Sequence, residues 1–143
     1  MNKFRQIPVT VLPDTEDDVT ISGPVRAILQ ELMDMVISLV ETGATNYVDL
    51  KSLPLAPGDL EQLRLILGEG EVEAIVTALG PTHIHETLVP GVWWVTHKNS
   101  NEEVISEFIE VTSLPEILLT QHEEIWNSVD VLKGRIEEFD VDP

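Results

Sequence analysis

The sequence of 143 residues contains no cysteine. Without thiols the chain can form no disulfide, use no thiolate nucleophile, and offer no cysteine ligand to zinc or to an iron–sulfur cluster. Long apolar runs are also missing, since no stretch reaches the ~18 apolar residues of a membrane-spanning helix. The first ten residues carry two cations but lack the apolar segment of a signal peptide. We therefore expect a soluble, cytoplasmic protein without a cofactor of its own.

Basic residues are scarce as well. Eight Lys and Arg stand against 26 Asp and Glu, which gives a formal net charge of -18 at pH 7. Such a charge repels phosphate backbones and anionic lipids, which argues against nucleic acid and membrane as partners. A basic partner fits better, although net charge also serves plain solubility. The 43% of hydrophobic and 24% of charged residues are typical of one folded domain of this length.

Two helices are predicted in the first half of the chain. Apolar residues recur at helical spacing from Pro24 onwards, and Gly43 is the predicted end of this helix. A loop that includes residues 47–50 leads to a second, shorter helix that ends at Gly68. We divide the single domain, 1–143, into an extended acidic segment, a helical part, a sheet and a C-terminal helix, over residues 1–23, 24–68, 70–112 and 113–140.

The pattern of apolar residues changes from helical to alternating after Gly70, which predicts strands. Four strands are expected, separated by two Gly/Pro turns and a polar loop, over residues 72–78, 82–89, 92–97 and 103–111. Consecutive strands with short connections form an antiparallel meander. The predicted fold is therefore α+β, with a four-stranded antiparallel meander sheet and helices before and after it that cover one of its faces.

The last predicted helix begins at the capping-box pattern Ser113-Leu114-Pro115-Glu116. A heptad stripe follows, with spacings of four and three residues in alternation, at Leu118, His122, Ile125, Val129, Leu132, Ile136 and Phe139. One interpretation is an amphipathic helix docked on the sheet, with a break near Gly134. The other is a helix offered to a partner or to a second copy of the chain. Three heptads are too few to choose between them.

His83 and His85 suggest a metal site, because residues two apart on a strand point to the same face. His97 on the neighbouring strand is placed to approach them, and the set loosely resembles a cupin metal motif. The spacings differ from that motif, since Gly80 stands too close to His83 and Glu86 points to the opposite face. A small metal-binding, cupin-like enzyme is therefore only the alternative function, and we predict no metal and no catalytic residues.

Two tryptophans stand side by side on one predicted strand, Trp93 and Trp94, and so point to opposite faces. One can fill the core, which leaves the other semi-exposed unless the chain covers it. Tryptophan often anchors protein interfaces. Nucleophilic catalysis has little support, since no Gly-x-Ser-x-Gly stands between a strand and a helix. We therefore predict a partner-binding surface whose candidate residues are Trp93, Trp94, His83, His85, Glu69 and Glu71.

Several short motifs follow one another in a distinctive order. They are Val48-Asp49-Leu50, Leu53-Pro54-Leu55 with Asp59, Leu65-Ile66-Leu67-Gly68-Glu69-Gly70-Glu71-Val72, Ile84-His85-Glu86-Thr87, Pro90-Gly91-Val92-Trp93, Ile109-Glu110-Val111 and Leu114-Pro115-Glu116-Ile117-Leu118. In this order they resemble the HupH/HyaF/HoxQ family of hydrogenase expression proteins. The resemblance extends over about residues 24 to 125 and is fairly specific, because a helix end, a turn, a strand and a helix start must all coincide.

The resemblance implies a non-enzymatic accessory protein or chaperone in the maturation of [NiFe] uptake hydrogenase. The implied partners are the hydrogenase small subunit precursor, which carries iron–sulfur clusters and a twin-arginine signal, and other hydrogenase accessory proteins. It implies no catalytic residue. Members of the family are longer than this chain, so a single unit is expected to need a partner or a second copy, as in a homodimer. Attraction to a basic signal segment would speed encounter with the precursor.

Overall fold

The computed structural model describes residues 20–140, so most of the predicted extended segment lies outside the described residues. The described part forms three α-helices, two short 3-10 helices and one five-stranded sheet. The helices are α1 (Gly23–Thr42), α2 (Pro57–Leu67) and α3 (His122–Phe139), and the strands are β1 (Asn46–Asp49), β2 (Glu73–Thr77), β3 (Pro81–Glu86), β4 (Val92–Lys98) and β5 (Val104–Val111). No helix in this part of the chain is long and apolar enough to cross a membrane.

The ends of α1 confirm the sequence prediction. Ser22 caps the helix, because its hydroxyl accepts a hydrogen bond from the backbone N–H of Val25 at 3.2 Å, and Pro24 lies in the first turn. Gly43 follows the last helical residue with a φ of 78°. Glycine takes this left-handed conformation without strain, and its N–H donates to the carbonyl of Leu39 at 2.9 Å.

The sheet has five strands, so the prediction of four is wrong. The strand order is β1-β5-β4-β3-β2, and every neighbouring pair is antiparallel. The predicted meander is present as β2 to β5. Residues 47–50, predicted as part of a loop, largely belong to β1, which pairs with β5 so that Val48 lies opposite Ile109. The four-residue strand has one buried residue, and its partner lies far along the chain, so local alternation gives no signal for it.

Helices α1 and α2 pack on one face of the sheet, which we call the helix-covered face. Its core consists of Val25, Ile28, Leu32, Leu50, Leu63 and Leu67 together with the strand residues Val48, Val92, Trp94, Ile109 and Val111. The opposite face, which we call the second face, carries a smaller core of Ile84, Trp93 and Val95. Phe108 and Leu118 pack against this smaller core, and Leu118 belongs to the 3-10 helix Glu116–Leu118. Both faces of β4 are therefore buried by the chain itself from Val92 to Val95.

The C-terminal helix starts later than predicted. The capping-box pattern leads into the 3-10 helix Glu116–Leu118, after which Leu119 returns to extended backbone and α3 begins at His122. Packing of Leu118 against the second face holds this segment outside α3. No residue of α3 is buried, so the interpretation of a helix docked on the sheet is wrong. The helix also continues through Gly134 without the predicted break.

Candidate functional site

Glu107 is a buried carboxylate at the centre of a polar cluster on the helix-covered face, with 5% of its surface exposed. It accepts hydrogen bonds from the indole N–H of Trp94 at 2.8 Å and from the hydroxyl of Thr96 at 3.4 Å. Arg64 of α2 forms an ion pair with the same carboxylate. A buried charge is tolerated when it is paired and hydrogen-bonded in this way. The cluster therefore ties α2 to two central strands.

The indole of Trp94 contacts both a cation and an imidazole. The guanidinium carbon of Arg64 lies 4.7 Å from the ring centroid, and the His85 ring is parallel to the indole at 6.4 Å between centroids. Arg64, Gly68, Glu69, His85 and Trp94 line a small cleft of about 120 Å³. Three of the candidate residues from the sequence therefore lie together. The other three residues of that set, Glu71, His83 and Trp93, do not line this cleft.

Sequence reasoning missed Arg64 and Glu107, which hold this cluster together. Glu107 does leave a signal, because it takes an inward position in the alternation of β5, two residues before the buried Ile109. A carboxylate at such a position requires a cation or several donors nearby. The partner Arg64 carries no comparable signal, since it lies on the half-exposed side of α2.

Both adjacent tryptophans are buried, Trp93 at 5% and Trp94 at 1% exposure, so the chain itself covers the second ring and neither is left semi-exposed. Trp93 lies on the second face and donates its indole N–H to the carbonyl of Thr112 at 3.1 Å. Residues of the same chain cover each ring, and neither ring presents a broad surface to a partner.

The three histidines do not form one site. His83 and His85 share the helix-covered face as predicted, but His97 lies on the second face opposite Thr82. The Thr82 hydroxyl and His97 Nδ1 are hydrogen-bonded at 2.6 Å. Among residues 20–140 no group of three or more His, Asp or Glu is arranged to hold a metal ion. The prediction that His97 approaches the other two is wrong, and the enzyme alternative loses the geometry on which it depended.

A larger cleft of about 530 Å³ opens on the second face, and we call it the acidic cleft. It has three carboxylates, two aromatic rings and no Lys or Arg in its lining, which consists of Tyr47, Asp49, Ser106, Phe108, Glu110, Glu116 and Ile117. The sequence analysis did not predict that these residues lie together. Two of them lie on β1, the strand that was predicted as loop, and pair with β5 across the sheet.

The aromatic rings and the carboxylates of the acidic cleft are interleaved. Tyr47 lies opposite Glu110, and Asp49 lies opposite Phe108, in the register of β1 and β5. The rings of Tyr47 and Phe108 meet edge to face, with centroids 5.6 Å apart. A Lys or Arg side chain gains from an aromatic face and from carboxylates at once. The lining of the cleft therefore suits a basic side chain.

The carboxyl of Glu110 in this cleft has a raised pKa. Partial burial raises the pKa of its carboxyl above the usual 4.5, and the negative charge of Glu116 raises that pKa further. The backbone N–H of Glu116, 3.4 Å from the Glu110 Oε2, acts in the opposite direction. A cation that entered the cleft would favour the charged form of the carboxyl. The two carboxylates thus lie close together without a basic neighbour in the lining.

Comparison with known proteins gives a consistent result. Residues 24–139 match the family described as HupH hydrogenase expression protein, C-terminal conserved region. The chain is 36% identical over 129 residues to the hydrogenase expression/formation protein HupH of Rhodobacter capsulatus, which covers 90% of this chain and 44% of the relative. It is 34% identical over 124 residues to HoxQ of Azotobacter vinelandii, which covers 85% and 43%. The chain thus spans less than half the length of these relatives.

A solved structure agrees with the sequence matches. The hydrogenase expression protein HupH from Thiobacillus denitrificans ATCC 25259 superposes with a TM-score of 0.79 at 38% identity. The alignment covers 82% of this chain and 98% of that one. The α+β fold is therefore common to both proteins.

Proposed function

Because the chain belongs to the family of HupH hydrogenase expression proteins, we propose that it is a non-enzymatic accessory protein in the maturation of [NiFe] uptake hydrogenase. It acts as a chaperone that binds the precursor small subunit or another maturation factor. The match over residues 24–139 is the observation that carries this proposal. The names of the relatives refer to expression and formation of hydrogenase, which favours assembly over a catalytic step.

The acidic cleft is the surface on which we place the partner. Its carboxylates and aromatic rings suit Lys and Arg side chains, and the net charge of -18 attracts a basic segment from a distance. Long-range attraction speeds encounter, while contacts with Tyr47 and Phe108 lengthen residence. This division assigns recognition to Tyr47, Asp49, Phe108, Glu110 and Glu116.

The cluster around Glu107 lies on the other face of β5, the strand that also lines the acidic cleft. Glu107 and Phe108 are neighbours on β5, so the first points to the helix-covered face and the second lines the acidic cleft. The ion pair with Arg64 and the bond from Trp94 fix the strand that presents Phe108 and Glu110. The exposed residues Glu69 and Glu71 and the half-buried His83 and His85 remain a second candidate contact region.

The test is binding of the full chain to purified precursor small subunit at low and high salt. The variant Asp49→Asn/Glu110→Gln/Glu116→Gln removes three charges from the cleft. We expect it to weaken binding about tenfold, because exposed ion pairs contribute about 0.5 kcal/mol each. It also flattens the dependence on salt.

The control variant Glu31→Gln/Asp34→Asn/Glu41→Gln removes three charges from the exposed side of α1. It matches the change in net charge but leaves the cleft intact, so most of the affinity remains. Equal losses in both variants would show that net charge, and not the cleft, attracts the partner. No binding of the unaltered chain to the precursor or to other hydrogenase accessory proteins would overturn the assignment of partners.

A further inference from the structure

Helix α3 carries an apolar stripe that nothing in residues 20–140 covers. Its apolar members are between 48% and 71% exposed, and the whole stripe comprises His122, Ile125, Val129, Leu132, Ile136 and Phe139. In proteins most of the stability of a helix comes from packing of its apolar side rather than from helix propensity, and α3 has no buried residue. We therefore expect another surface to pack against the stripe.

The spacing of the stripe is the same when read in either direction. Successive members are three, four, three, four and three residues apart. Two copies of α3 laid antiparallel about the midpoint between Val129 and Leu132 therefore place the four central apolar residues opposite one another, with His122 opposite Phe139 at each end. Ile125 of one copy meets Ile136 of the other, and Val129 meets Leu132. A twofold axis produces this kind of self-complementary contact, and the register uses the full length of the helix.

The charges of α3 are arranged as this contact requires. All its acidic residues occupy heptad positions away from the stripe: Glu123, Glu124, Asp130, Glu137 and Glu138. Within α3 the positions that flank the stripe carry no acidic residue, and two of them hold the cations Lys133 and Arg135. The antiparallel register brings Lys133 beside the exposed Trp126 of the second copy, where a cation can lie over the indole.

The side of α3 that faces away from the stripe has no buried residue within the described part of the chain, so it does not compete with packing through the stripe. Gly134 lies opposite the stripe, and nothing approaches within 4 Å of the position that its Cβ would take. On a chain with a net charge of -18, the stripe is thus an apolar strip free of acidic side chains, where two copies can meet without opposing carboxylates.

We propose that α3 is a dimerisation helix, which packs antiparallel against α3 of a second copy of this chain. The contact does not depend on the hydrogenase partner. Since both copies are acidic, salt screens their mutual repulsion and strengthens the dimer. Binding of a basic partner in the acidic cleft has the opposite dependence on salt, so the two proposals can fail separately.

Sedimentation velocity of the full chain over a dilution series tests the proposal. The unaltered chain is expected to sediment as two copies, and more completely as salt is raised. Leu132→Glu buries a charge at the centre of the contact in both copies, so we expect the dissociation constant to rise by about a hundredfold or more. Far-ultraviolet circular dichroism checks that α3 remains helical.

The matched control is Val131→Glu, the neighbouring residue off the stripe. Val131 is 59% exposed and Leu132 62% exposed, so both substitutions place the same charge at similar exposure in the single chain. Val131→Glu should leave the dimer intact. A single chain at all concentrations, or equal effects of the two substitutions, would overturn the proposal.

The direction of the helices is tested by cross-linking, which the absence of cysteine makes simple. Ile125→Cys and Ile136→Cys are prepared separately, mixed and oxidised. The antiparallel register predicts a disulfide between the two different variants and none within either variant alone. A disulfide that forms within each variant alone would indicate parallel helices and would contradict the proposed arrangement.

Discussion

Strand β5 places one carboxylate on each face of the sheet, and the two carboxylates have opposite surroundings. Glu107 faces the helices, is nearly inaccessible, and has a cation and two hydrogen-bond donors around it. Glu110 faces the acidic cleft, where a second carboxylate lies nearby and no Lys or Arg lines the wall. The first arrangement is complete within the chain. In the second arrangement the negative charges have no partner in the lining, so binding of a cation would stabilise them.

The largest expected effect is on the helix-covered face, where Trp94 is buried. Trp94→Ala removes a fully buried indole and one donor to Glu107, so we expect a loss of about 3–5 kcal/mol in the free energy of unfolding. Urea denaturation followed by circular dichroism measures it. The control Trp126→Ala removes an indole that is 72% exposed on α3, and it should change the value by less than about 0.5 kcal/mol at concentrations where the chain is single.

A smaller effect is expected at the ion pair. Arg64→Ala leaves Glu107 without its cation but with two hydrogen bonds, and half of Arg64 is solvent-exposed, so we expect a loss of about 1–3 kcal/mol. Arg135→Ala, at the exposed pair with Glu138, should cost less than about 0.5 kcal/mol. In a double-mutant cycle, Glu107→Gln should recover part of the loss in Arg64→Ala. Strict additivity would mean that the two groups do not interact.

The smallest effect is expected at Glu110, in the acidic cleft of the second face. Because burial raises the pKa of Glu110, the folded state disfavours its ionised form. The contribution of this carboxyl to stability is therefore fully present below its unfolded pKa and is lost as the pH rises through the folded pKa. Glu110→Gln should stabilise the chain by a few tenths of a kcal/mol at pH 7, since solvent screens a half-exposed group.

The same substitution should make no difference at pH values well below 4.5, where the carboxyl is protonated in both states. Thermal unfolding at several pH values measures the trend, and Glu137→Gln on the exposed surface of α3 is the control for net charge. Destabilisation by Glu110→Gln at neutral pH would mean that the acidic cleft is already neutralised within the chain.

Sequence reasoning recovered what depends on neighbours along the chain. The 3.6-residue period and Gly43 locate α1, and the alternation of apolar residues locates the meander from β2 to β5. It failed where distant segments meet. Strand β1 exists because Val48 lies opposite Ile109, and the capping box at Ser113 gives way because Leu118 packs on the second face. The heptad stripe correctly indicated an amphipathic helix but not whether its own chain covers it.

The candidate site was predictable to a similar extent. Glu69, His85 and Trp94 lie together because two adjacent strands and a helix end bring them to one place. The acidic cleft was not anticipated, since in a chain with 26 acidic residues no single carboxylate is conspicuous. Only the pairing of β1 with β5 selects Asp49 and Glu110 from the others and adds Tyr47 and Phe108.

The place of β1 in the sheet also bears on the order in which the molecule folds. Strands β2 to β5 form successive local hairpins, whereas β1 joins β5 only after a loop of about sixty residues has closed. Closure of long loops is entropically costly and slow compared with hairpin formation. The acidic cleft is built across that last junction. We therefore expect a nascent chain to form its meander first and the acidic cleft later, when β1 has joined the sheet.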